Sequence, residues 1–177
     1  MQPRIPRQQG REQRTQGIHR ADGDAGLSAE LASVVDGARR RAVRDGDRQI
    51  DTAHLLHSLL ESDAEVRAAV GEGTRIARLL GYLVQRSIGY GLRWQGSVED
   101  SGGVLVVTAT AGFSPLAASC MEYARERALR AGAGVACGTD LLAAIVADPQ
   151  ARAVEVLRRA GIDHHELFIR LETPSSR

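Results

Sequence analysis

The chain contains no lysine, so all 23 of its Lys-or-Arg side chains are Arg. A Walker A loop needs Lys to reach the phosphates, and Schiff-base chemistry needs a Lys amine. These 177 residues therefore do not encode an ordinary P-loop ATPase. Aromatic residues make up only 3%, so a core must be built from Ala, Leu, Val and Ile, which suits closely packed helices. No run of 18 apolar residues occurs, which excludes an apolar membrane-spanning helix. The first residues lack an apolar stretch of the secretory kind, so a cytoplasmic protein is expected. Only two cysteines are present. Cys120 and Cys137 sit among apolar or small residues and read as buried free thiols of a reducing compartment, with a disulfide left open by sequence. Charge of either sign is also scarce in excess: the net value is +1, which argues against a dominant field for nucleic acid or membrane.

What is present is an ordinary share of hydrophobic residues, 43%, enough for a packed core. Residues 1–26 are rich in Arg, Gln and Gly and read as a disordered tail. Ser28 is a good N-cap for a first helix whose inward face is Leu31, Val34, Val35, Ala38 and Ala42, stopped by Gly46. Asp51 or Thr52 caps a second helix with a Leu55, Leu56, Leu59, Leu60 ridge. A short helix follows from about residue 64 to 70, and Thr74 caps a fourth with Ile76, Leu79, Leu80 and Leu83 inward. Ser114-Pro115 then starts the series again, with Ala117, Cys120, Met121, Ala124 and Ala128 inward and Gly132 as the stop. Gly138 or Thr139 begins the next helix, Asp148-Pro149 reads as a second cap-and-proline start, and Asp163 with Glu166 as a capping box. Residues 173–177 read as a fraying tail.

At a constant offset of 86, residues 27–61 and 113–147 align without gaps. Identical pairs include Ser28/Ser114, Ala38/Ala124, Gly46/Gly132, Leu55/Leu141 and Leu56/Leu142. Beyond them the offset becomes 88. The expectation is an all-α fold made of a duplicated four-helix unit. Repeat one spans 27–86, repeat two spans 113–172, and the two pack as one pseudo-two-fold body because each core alone is thin. Between them, residues 87–112 have a β-branched stretch, "GVLVVTAT", and read as a small hairpin or extended excursion, with Trp94 and Tyr90 packing over the helices.

A capped "T-x-H-L-L-x-x-L-L" after a small-residue helix ended by Gly, with a degenerate second copy, resembles the Clp N-terminal domain. That double repeat heads the Clp ATPases of the ClpA and ClpC type, where it docks adaptors and substrates while downstream modules hydrolyse ATP. The resemblance covers most of residues 27–172. It implies a standalone protein- or peptide-binding module that acts as adaptor, regulator or competitor of a Clp unfoldase, with neither ATPase nor peptidase activity. Relatives of the ClpC type bind phosphoarginine through an acidic residue in a "G-T-E-H" of each repeat. Here Asp51, Thr52, Ala53 and His54 stand in the first copy, and Gly138, Thr139 and Asp140 in the second. In the ungapped register Ala53 and Thr139 replace the acid; a one-residue gap would set Asp140 there but move Leu141 and Leu142 out of register. Without that carboxylate the bidentate part of guanidinium recognition is missing, which argues against the family's phosphoarginine mode. These seven residues are the candidate ligand-binding positions.

Other chemistry is thinly supported. His54 and His57, three apart, could share a metal, but no third ligand lies at obvious spacing, so capping or packing for His54 and a surface role for His57 is favoured. No nucleophile signature is present, and no cofactor is expected. Two further classes stay open: sequestration of a small cyclic-peptide natural product, and Arg-dependent nucleic-acid binding through Arg39, Arg40, Arg41 and Arg44 with Arg125, Arg127 and Arg130. The bland alternative for that Arg pattern is a solvated face.

Overall fold

A computed structural model describes residues 24–71, 73–87, 99 and 112–173. Among the described residues the chain is all-α, with eight helices and no strand. These are α1 (Ala29–Asp45), α2 (Thr52–Ser62), α3 (Ala64–Val70), α4 (Gly73–Ser87), α5 (Pro115–Arg130), α6 (Gly138–Ala147), α7 (Arg152–Arg159) and α8 (His164–Glu172). The hairpin reading, Trp94 and Tyr90, and nearly all of the N-terminal tail fall outside the described residues.

The helix starts follow from local chemistry. Ser28 Oγ accepts from Leu31 N at 3.1 Å, and Ser114 Oγ accepts from Ala117 N at 3.1 Å, with Pro115 in the first turn. Such a cap contributes about 1 kcal/mol. Gly46 and Gly132 follow α1 and α5 at φ 74° and 73°, a left-handed conformation that other residues adopt only with strain. Both glycines, like both serines, are 86 residues apart.

The inward faces of α1 and α5 are the predicted ones, and each packs chiefly on the helix that follows it. Every residue of α2 from Thr52 to Leu60 is buried, and α6 is nearly as enclosed. A helix covered on all sides belongs at the centre of a fold rather than on its surface. Leu55, Leu56, Leu59, Leu141, Leu142 and Ile145 all lie in one apolar cluster, so a single core serves both halves of the chain.

Four backbone hydrogen bonds lace those halves together. Ser28 N donates to Ala136 O and Ala136 N to Gly26 O, each at 2.8 Å. Ser114 N donates to Ile50 O at 2.8 Å and Ile50 N to Gly112 O at 2.5 Å. Adding 86 to the first-half residues and subtracting it from the second-half ones turns either pair into the other. The chain entering α1 thus pairs with the chain entering α6, and the chain entering α5 with the chain entering α2.

Three local expectations need correction. The fourth helix includes Gly73, so Thr74 lies in its first turn, a boundary shift of ordinary size. Asp148-Pro149 makes a turn, not a helix start: Asp148 Oδ1 accepts from Gln150 N at 2.8 Å and its carbonyl from Ala151 N at 3.1 Å. The helix begins only at Arg152, with Ala151 in the cap position and no side-chain cap. His57 is buried rather than on the surface, because α2 has no outer face.

His57 gives the fold an acid-side sensitivity. Burial, helped by the Arg41 and Arg44 charges, lowers its pKa from 6.5 to about 4 against the opposing pull of Glu61. The unfolded chain therefore takes up this proton at a higher pH than the folded one. The stabilisation is complete above about pH 6.5 and is lost as pH falls toward 4. We expect His57→Gln to flatten that slope by at most about 2 kcal/mol. Urea midpoints of both proteins between pH 7 and 4.5 would show it; parallel curves would refute it.

Candidate recognition site at the helix starts

The seven candidate positions form the first turns of α2 and α6. Asp51 is the N-cap of α2: its Oδ1 accepts from His54 N at 2.9 Å, and His54 Nδ1 accepts from Asp51 N at 3.1 Å. This is a reciprocal capping box with His in the place usually taken by Glu or Gln. At the start of α6, Asp140 Oδ2 accepts from Cys137 N at 2.9 Å, and the Cys137 thiol lies 3.1 Å from the same oxygen. His54 and Asp140, paired by the 86-residue offset, do the same work with different atoms. Thr139 Oγ1 sits 3.1 Å from Cys137 Sγ.

Both starts are tied to guanidinium groups from other helices. Asp51 Oδ2 meets Arg152 at 2.8 Å and also Arg86. Asp140 pairs with Arg127, which reaches Glu172 at 2.8 Å and the Leu171 carbonyl at 2.6 Å. Burial alone would raise the Asp51 pKa. Hydrogen bonding with His54, together with the Arg86 charge, outweighs it and holds the carboxyl well below its ordinary range.

The two starts do not converge on one site. A Cβ placed on Gly138 would lie 2.0 Å from Asp63 Oδ2 and 3.1 Å from Leu59 Cδ2, so α6 begins against the C-terminal end of α2. Asp51–His54 lie at the other end, about 16 Å away along an 11-residue helix. They belong to two seams between the halves. Ala53 is packed into the core.

Sequence reasoning missed the residue that completes the first seam. Glu99 is 5% exposed and reaches into the junction of α2, α5 and α7. Its Oε2 accepts from Thr52 N and Ser114 Oγ, each at 2.9 Å. Its Oε1 accepts from Arg152 N at 2.8 Å and from the Thr52 hydroxyl. The only sequence signal was indirect: Ala151 leaves α7 without a cap of its own.

Asp47, Asp51 and His54 place ligand-type atoms within 4.8 Å of one another. The donor set does not suit a metal. Nδ1 of His54 lies 3.1 Å from Asp51 N and 2.8 Å from Asp51 Oδ1, and both Asp51 oxygens are already engaged by His54 N and by the two guanidinium groups. Cys120 is no better as a nucleophile. Burial raises its thiol pKa far above the ordinary range, and the Glu99 and Asp148 charges add to the shift. Of the Arg residues considered for nucleic acid, Arg41 pairs with Glu61, Arg44 with Asp45 and Arg127 with Asp140 and Glu172.

No family model and no curated protein matches the chain. A solved structure from "Preliminary structural investigations of a malarial protein secretion system" is similar in fold. It is 14% identical, with a TM-score of 0.59 over 83% of this chain and 92% of that one. At that identity the likeness speaks for the all-α fold alone.

Proposed function

We propose that the chain is a protein- or peptide-binding module of the Clp N-terminal kind, built from a duplicated helical unit. It acts as adaptor, regulator or competitor in a Clp unfoldase–protease system and does no chemistry itself. One observation carries this reading. The laced seams put two equivalent helix starts, at Asp51–His54 and Gly138–Asp140, beside chain from the opposite half. Their carboxylates and main-chain groups are spent on holding the seams, and Thr139, the one partly exposed position of the seven, is where a polypeptide would meet the second start.

Titrating the chain into a fluorescent unstructured polypeptide and into a purified Clp unfoldase tests the reading. Saturable binding to one of them is expected, weakened at least ten-fold by Thr139→Arg with an unchanged melting curve. No saturable binding to either would sink it. A cyclic peptide that alone raises the melting temperature would point instead to small-molecule sequestration.

A further inference from the structure

We propose that the junction of α2, α5 and α7 is a receptor for a carboxylate, and that Glu99 is its resident ligand, supplied by the chain itself. Each carboxylate oxygen accepts two hydrogen bonds, and all four donors are neutral. The two hydroxyls are oriented by the helices behind them. Ser114 Oγ accepts from Ala117 N and so turns its proton to Glu99; Thr52 Oγ1 accepts from Ala153 N at 3.1 Å and does the same. Three helix N-termini thus direct their positive ends at one buried group.

A separate observation marks the place as built for a ligand from elsewhere. At the offset of 88, Ala151 corresponds to Asp63. Asp63 caps its own helix, with Oδ1 accepting from Val66 N at 3.0 Å. Ala151 has no side chain able to do so, and Arg152 N, its neighbour, bonds to a residue 53 positions away. The equivalent seam is not a second copy: Gly138 stands where Thr52 stands and has no hydroxyl, and Asp63 Oδ2 already lies against it.

The donor pattern defines the ligand class. Four converging donors accept a carboxylate, whereas a primary amide would turn its own N–H groups toward two of them. Glu99, being part of the chain, competes at an effective concentration in the millimolar range or above. An outside carboxylate, such as an acidic side chain of a partner, therefore binds only in exchange for Glu99. This inference concerns the receptor alone and stands or falls separately from the peptide-binding reading.

Chemical rescue tests it. Melting temperatures of the wild type, Glu99→Ala and Glu99→Gln are measured against rising sodium acetate, with sodium chloride at equal ionic strength as control. Acetate should raise Glu99→Ala by about 3–5 °C over chloride and leave the other two unmoved, because their sites are filled. Thr52→Val placed on Glu99→Ala should abolish the gain. If Glu99→Ala is unfolded at rest, the same expectation reads as folding recovered in acetate and not in chloride, followed by circular dichroism. An acetate response equal across all three proteins, no response of Glu99→Ala in either form, or one that survives Thr52→Val would overturn the proposal.

Discussion

Asp51→Ala is expected to destabilise the chain by about 3–5 kcal/mol, the range for removing one partner of a buried ion pair. The carboxylate is 2% exposed and serves two guanidinium groups that are themselves about nine-tenths buried, Arg86 and Arg152. Loss of the acid leaves both cations enclosed and takes the α2 cap with it. Asp51→Asn keeps an acceptor for His54 N but drops the charge, so it should fall between the two. The pH dependence follows from the direction of the shift. A carboxyl held below its unfolded value of 3.8 gives its full contribution above that pH and loses it as pH drops further. Guanidinium midpoints at pH 7 decide the matter, and a loss under about 1 kcal/mol for Asp51→Ala would show the cluster to be ornamental.

Leu56→Ala and Leu142→Ala, at matching places in the two halves, are each expected to cost about 2–5 kcal/mol. Both side chains are fully buried in one apolar cluster, and deletion leaves a cavity that interlocked helices cannot close. For a chain of this size the melting temperature should drop by roughly 5–20 °C. The form of the transition matters as much as its position. Because α2 and α6 share a core, either substitution should lower one cooperative transition of the whole body. Calorimetry resolving two transitions, with only one displaced by each substitution, would mean that the halves fold separately.

The parts of this structure that sequence discloses are those decided within a few residues. Ser28, Asp51 and Ser114-Pro115 start helices because an N-cap acts on an N–H three positions on, and Gly46 and Gly132 stop them because the left-handed conformation is a local demand. Asp148-Pro149 carries an equally local signal but is ambiguous, since the side chain that caps a helix also closes a turn; the structure uses the turn. His57 was misplaced because an amphipathic ridge tells which face is most apolar, not whether the opposite face is also covered. Among the site residues, the helix starts at Asp51 and Gly138 were legible and their surroundings were not. Arg152 reaches Asp51 across 101 positions, and Glu99 reaches Thr52 across 47, from a stretch that read as hairpin turn. No periodicity encodes such a meeting.

The lacing of the two halves has a consequence for assembly. Ser28 and Ile50 of the first half bond to Ala136 and Gly112 of the second, while Ser114 and Ala136 bond to Ile50 and Gly26 in return. Each side gives what it receives, which is the logic of an isologous contact between identical subunits, here carried out within one polypeptide. A half released from its neighbour would hold both faces of the exchange and lack partners for them. Its natural complement would be another copy of itself, so severed halves are predisposed to homodimerise.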